Sequence, residues 1–286
     1  MLKIIEKTKL WFGISLLIIV IGLGFLVTKG LNFGIDFRGG TQLVIDMGKD
    51  FEKAEIDSIV TKYANDAVTN KVENTQLEIK SNNLDSEKIS SMFKEIKEKY
   101  NLEDKALVSQ DEIGQSVGRD LTNKAIIALL VANVAMLIYV AIRFEFKFGL
   151  AAILALVHDI LITISIYAIF NVPVNSPFIA AILTIVGYSI NDTIVIFDRI
   201  RENGKTMRRV NVTELANISI TQTMSRSINT VLTTLITITA VYVFVPTVRE
   251  FAFPLIIGIL SGAYSSIFIA SPLWVIFKNR TSKSRA

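Results

Sequence analysis

Residues 187–203 read GYSINDTIVIFDRIREN, an apolar run that carries a carboxylate, Asp192, well before its charged end. With the apolar residues from Phe178 onward it is long enough to cross a bilayer core, which takes about 20 residues of helix. An ionisable side chain inside such a helix is costly. It usually faces a protein interior or a water cavity, where it marks an ion or proton path. The alternatives are a carboxylate that snorkels to the interface and a neutral carboxyl held in a structural hydrogen bond.

Five further stretches have the same length and character: Leu10 to Val27, Ala125 to Ile142, Phe148 to Phe170, Ile218 to Val245 and Phe251 to Phe277. The chain is 51% hydrophobic with a mean hydropathy of +0.49, too apolar for an ordinary soluble domain. These features predict an α-helical polytopic membrane protein with six transmembrane helices. Lys3, Lys7 and Lys9 precede the first span in the manner of a signal peptide. That span lacks an A-x-A-like cleavage site and exceeds the usual apolar core, which predicts a retained anchor.

Loop charge predicts orientation, because cytoplasmic loops carry excess Lys and Arg. One set of connections holds Arg143, Lys147, Arg199, Arg201, Lys205, Arg208 and Arg209, and the termini add Lys3, Lys7, Lys9, Lys278, Arg280, Lys283 and Arg285. Residues 171–177 carry no charge, and 246–250 carry Arg249 and Glu250. Both termini are expected in the cytoplasm, and residues 29–124 form an extracytoplasmic domain between the first two helices. Residues 1–28 then supply the N-terminus and first span, 125–277 the other five, and 278–286 a basic cytoplasmic tail. From Thr41 to Gly118 there are 10 basic and 16 acidic residues, a net −6 within a chain of +4.

Strand patterns at GTQLVIDM (Gly40–Met47), TQLEIKS (Thr75–Ser81) and near Ala106–Val108 are separated by helical spacing at Ala54–Tyr63 and Leu84–Ile96. The alternation predicts a small α+β domain of ferredoxin-like, split βαβ type.

Several other polar groups lie at membrane depth. Tyr188, Ser189 and Asn191 surround Asp192 and could link it to a water chain or make interhelical hydrogen bonds. Gln222, Arg226, Asn229, Thr230, Thr233 and Thr237 form a stripe at helical spacing on the fifth span. Arg226 is placed to partner Asp192 if that helix begins near Ile218, and reads as a snorkelling interfacial arginine if it begins near Ile228. His158 and Asp159 fall near mid-bilayer, as a protonatable relay or a structural hydrogen bond. Gly34, Gly39 and Gly40 flank Asp36 and Arg38 where the chain leaves the first span, a junction in which Asp36 and Arg38 would brace a tight loop. Gly258 and Gly262, continued by Ser266, mark a closely packed helix face.

With no cysteine and one histidine, disulfides, thiolate metal sites and zinc or haem centres are not expected. Gly204, Lys205 and Thr206 match the end of a phosphate loop, but Arg199 stands where its first glycine belongs. No nucleophile, base and orienter set is present, and the basic residues follow loop topology rather than a nucleic-acid surface. Neither an enzyme nor a cofactor is predicted.

GIDFRGGT (Gly34–Thr41), VGYSINDTIVIFDRIREN (Val186–Asn203), the His158-Asp159 pair and SRSINT (Ser225–Thr230) together resemble the SecD/SecF protein-export family of the RND superfamily. Within it the chain is similar to the smaller, SecF-type partner over its whole length. The string around Asp192 is specific, since SecD-like members carry a different sequence around their corresponding acid.

The resemblance implies an auxiliary subunit of the Sec translocase in a prokaryotic cell membrane, driven by the proton motive force and acting on preproteins at the outer side. Its implied partners are a SecD-like subunit in a heterodimer, a SecYEG-type channel, translocating preproteins and protons. Asp192 and Arg226 would be the matched acid and base of proton passage, with Asn191, Tyr188, His158 and Asp159 alongside. Gly34, Asp36, Arg38, Gly39 and Gly40 would couple the external domain to the helices. The alternatives are an independent proton-coupled exporter of small molecules or lipids and a non-conducting scaffold.

Overall fold

The structure, a computed structural model, describes residues 2–72, 74–143 and 145–283. Arg285 of the basic tail lies outside the described residues, as do the side chains of Arg143 and Lys283. Six helices are long and apolar enough to span a membrane. They are α1 (Thr8–Lys29), α5 (Gln115–Arg143), α6 (Phe146–Phe170), α7 (Ser176–Thr206), α8 (Val212–Phe244), and a last span made of α9 (Arg249–Ser265), a π-helical turn (Ser266–Ala270) and α10 (Ser271–Lys283).

Most helices outrun the apolar windows that predict them, because the backbone stays helical where it meets polar surroundings. α5 starts at Gln115 rather than near Ala125, and α7 continues from Phe197 to Thr206. α8 starts at Val212, ahead of both expected starts, where the Asn211 side chain caps it by accepting from the Glu214 N–H at 2.8 Å.

Between α1 and α5 lie α2 (Ile35–Arg38), β1 (Gly40–Asp46), α3 (Lys53–Tyr63), β2 (Val68–Val72), β3 (Gln76–Ser81), α4 (Ser86–Tyr100) and β4 (Leu107–Ile113). The strands form one antiparallel sheet in the order β2-β3-β1-β4. β2 was not expected, since VTNKV is short and largely polar. Alternation along β1 and β3 buries Leu43, Ile45, Leu77 and Ile79 against Ile56, Ile59, Met92 and Ile96 of α3 and α4. Each such side chain contributes about 1.5–3 kcal/mol on burial, which lets a small domain keep its own core.

In the bundle, α6, α7 and the last span form the packed centre. Gly258 of α9 lies against the Ile185 side chain of α7. One turn on, a Cβ at Gly262 would stand 3.0 Å from the Ser189 Cβ. These two glycines let α9 approach α7 closely, so the small-residue face packs within the chain.

Candidate functional site

Asp159 on α6 is fully buried, and a buried carboxylate needs hydrogen-bond donors. Four converge on it. Oδ1 accepts from the Ser261 hydroxyl at 2.7 Å and lies 3.0 Å from His158 Nδ1. Oδ2 accepts from Ser189 at 2.6 Å and from Ser265 at 2.7 Å. One side chain therefore ties α6 to α7 and α9. With Asp159 ionised, Nδ1–H of His158 donates to it and Nε2 accepts from Ser15 of α1, 2.8 Å away. The His158 and Ser15 end borders an apolar cleft of ≈ 340 Å³ shared with Ile14, Ile18, Ile162 and Tyr264.

Asp192 is held differently. It lies near the middle of the 31-residue α7, about 21 Å from the Thr206 end at 1.5 Å per residue, and not close to a helix end. Oδ1 accepts from Ser227 of α8 at 2.9 Å, while buried Oδ2 has no hydrogen-bond partner among the described residues. Tyr188, Ser189 and Asn191 line the same cleft, with Thr230, Thr234 and Gly262 on its other walls. At ≈ 20 Å³, the cleft has room for about one water molecule.

Arg226 does not make the contact expected of it. Successive residues on a helix point about 100° apart, so α8 turns Ser227 inward and leaves Arg226 exposed. No ion pair joins Arg226 to Asp192 among the described residues, and its charge acts on that carboxylate only through space. The polar stripe around it is exposed too, except that the Gln222 side-chain oxygen accepts from Arg199 and Asn203 of α7 at 2.7 and 2.8 Å.

The GIDFRGGT segment forms a second polar cluster, where the α+β domain meets the helices. Gly39 and Gly40 adopt φ of 82° and 149°, which favours glycine. The Gly34 N–H donates to Val174 O at 2.9 Å, and the Asn175 side chain fills the space a Gly34 Cβ would need. The Asn175 amide donates to Glu250 Oε2 at 2.9 Å, and Lys80 of β3 pairs with Glu250 Oε1 at 3.1 Å. Burial pulls the Lys80 ammonium down, but Glu250 and Glu78 pull harder, so its pKa is raised.

The expected brace between Asp36 and Arg38 is replaced by separate contacts. The Asp36 carboxylate accepts from the Ser176 N–H at 2.7 Å, where the first turn of α7 has unpaired donors. The Arg38 guanidinium lies 5.9 Å from the centre of the Phe33 ring.

The structure places Asp192, Tyr188 and Asn191 on one cleft and His158 against Asp159, as the sequence spacing had grouped them. That grouping missed Ser227, Ser261 and Ser265 as partners of those acids, and Ser15 as the partner of His158. Ser261 and Ser265 are one turn apart beside Gly258 and Gly262, but the small-residue face read from the sequence was Gly258, Gly262 and Ser266 and did not include them.

Six membrane-length helices with two polar centres among them, and a small α+β domain between the first two, define a polytopic membrane protein. Residues 92–280 match the family described as "Protein export membrane protein SecD/SecF, C-terminal", and residues 24–50 match the SecD/SecF GG motif. The chain is 40% identical to the protein translocase subunit SecF of Calditerrivibrio nitroreducens, covering 96% of this chain and 93% of that one. It is 36% identical to the subunit of that name in Haemophilus influenzae, over 94% and 83%. The crystal structure of SecDF from Thermus thermophilus, titled a translocon-associated membrane protein, superposes with a TM-score of 0.81 at 36% identity. That match covers 98% of this chain and 39% of the longer SecDF chain. The chain belongs to the SecD/SecF protein-export family.

Proposed function

We propose that this chain is a SecF-type auxiliary subunit of the Sec protein translocase, using the proton motive force to promote preprotein translocation and release on the outer side of the membrane. The observation that carries the reading is Asp192, a carboxylate in the middle of a spanning helix whose buried Oδ2 has no hydrogen-bond partner among the described residues, beside a water-sized cleft. Intramembrane acids are retained for function far more often than for stability. Tyr188 and Asn191 line the proton's approach to Asp192, Arg226 biases it electrostatically, and His158 with Asp159 forms the inner part of the pathway.

The partner is a SecD-like subunit, as in the fused SecDF relatives, and the assembly serves a SecYEG-type channel. The exposed polar stripe of α8 supports a subunit role over an independent exporter, because such a face needs polar company in hydrocarbon. The lysine- and arginine-rich connections support cytoplasmic termini in a prokaryotic cell membrane, with residues 29–124 on the outer side. The order β1-α3-β2-β3-α4-β4, with strands arranged β2-β3-β1-β4, supports the ferredoxin-like reading. Gly34, Asp36, Arg38, Gly39 and Gly40 couple this domain to α7.

Asp192→Asn tests the assignment, since it removes the titratable group and keeps the shape. In vesicles with an imposed proton gradient the variant assembles with its partner and loses proton-dependent stimulation of export. Full stimulation by the variant would reduce the chain to a scaffold.

A further inference from the structure

One residue lies at both acidic sites. Ser189 donates to Asp159 Oδ2 at 2.6 Å and also lines the Asp192 cleft. The other donors to Asp159 lead elsewhere. Ser261 and His158 border the apolar cleft beside α1, and Ser265 otherwise reaches only Gly262 O, at 3.2 Å. Among the described residues, Ser189 is therefore the residue that donates to Asp159 and also borders the Asp192 cleft.

Its surroundings suit a hydroxyl that must turn. A Cβ at Gly262 would come within 3.3 Å of the Ser189 Oγ, tight enough to restrict it. Glycine leaves that side open, and Gly262 itself lines the Asp192 cleft. On the far side, the cleft beside His158 and Ser15 is lined mostly by Ile and Leu side chains.

We propose that Ser189 relays protons between the Asp192 cleft and Asp159, and that Asp159 with His158 is an inner holding site rather than a second conduit. The inference rests on the reading of Asp192 as part of a proton pathway. In the transfer, the Ser189 Oγ–H bond breaks as an O–H bond forms on Asp159 Oδ2. Oγ takes a replacement proton from a water in the cleft, and Asp192 gives its carboxyl proton to that water. One proton passes from Asp192 to Asp159, and no electrons move. The titratable groups lining the two ends of this route are Tyr188 from α7, His158 from α6 and Tyr264 from α9, while exposed Arg226 of α8 acts on Asp192 only through space.

Infrared difference spectroscopy of the full chain with its SecD-like partner, reconstituted in lipid and stepped in pH, reads each carboxyl separately. Asp192→Asn and Asp159→Asn assign the two bands. In Ser189→Ala the Asp192 band stays, and hydrogen–deuterium exchange of the Asp159 carboxyl slows on the order of a hundredfold, as expected for loss of a positioned proton-transfer group. Gly262→Ala removes no polar group and is the second variant, slowing the same exchange by crowding the hydroxyl. An Asp159 band that exchanges at the wild-type rate in both variants overturns the relay, and so does the absence of any band assignable to Asp159. Loss of no band in Asp192→Asn would instead sink the proton-pathway reading of Asp192.

Discussion

Half of this bundle is packed and half is bare. In the most apolar windows of α6, α7 and the last span, 50%, 44% and 61% of residues are buried within the chain, against 11%, 0% and 6% for α1, α5 and α8. The packed half holds Asp159, whose carboxylate is saturated by donors. The bare half carries the polar stripe on α8. Lipid can cover the apolar faces of α1 and α5, but it does not satisfy Arg226 and Asn229. The first half is held together by contacts within the chain, and the second leaves a polar face that the proposed partner would cover.

The largest effect should come from Asp159→Leu. It leaves the hydroxyls of Ser189, Ser261 and Ser265 and the His158 ring without their acceptor, and each orphaned buried group costs about 1–3 kcal/mol. The expected outcome is little or no folded protein, measured as the yield of protease-resistant chain extracted in mild detergent. Normal yield and an unchanged thermal midpoint would mean that the packed half does not depend on this centre.

Glycine substitutions separate the halves more finely. At Gly258 an added side chain runs into Ile185, so Gly258→Leu is expected to destabilise by about 1–3 kcal/mol through overpacking. Gly13 of α1 has open space around its Cβ position, and Gly13→Leu should stay within about 0.5 kcal/mol of wild type. Thermal or denaturant unfolding in one detergent compares them directly. Equal losses would erase the distinction.

On the bare half, Asn229→Leu combined with Thr233→Leu should leave the isolated chain's unfolding unchanged, because both side chains are exposed. Co-purification with the SecD-like subunit from native membranes should fall several-fold. Undiminished recovery would move the interface to α1 or α5.

What the sequence made legible follows the same division. Spans were readable because hydrocarbon thickness imposes a length on every helix, and the Asp192 string was readable because a lone acid stands out in it. The alternating strands β1 and β3 announced themselves, whereas the polar β2 did not. The serine donors of the Asp159 centre were out of reach: they lie on α7 and α9, 30 to 106 positions away, and serines are too common in spanning helices to mark a site. Arg226 misled because a cation looked like the natural partner for Asp192, while the contact is made by its neighbour Ser227. Spacing gave the depth on α8 but not the rotation of the helix.

The smallest effect is expected at the junction, where the Lys80–Glu250 pair joins the α+β domain to the start of the packed half at α9. Burial works against the Lys80 charge, but Glu250 and Glu78 outweigh it, and the folded-state pKa lies above the usual 10.5. A raised lysine pKa means that the folded state binds the proton more tightly than the unfolded chain does. Its contribution is therefore fully present below about pH 10.5 and fades as pH rises through the raised value. Lys80→Met keeps most of the aliphatic stem and removes the charge, so it should unfold at a lower temperature than wild type at pH 9. The gap between the two should then close as both are titrated towards pH 11.5 and beyond. Measuring the difference between the two proteins cancels the titration of the other lysines and tyrosines. A gap that stays constant across that range would show that the ion pair does not hold the domain to the packed half, leaving Asp36 at the start of α7 and the Gly34–Val174 hydrogen bond as the junction's working contacts.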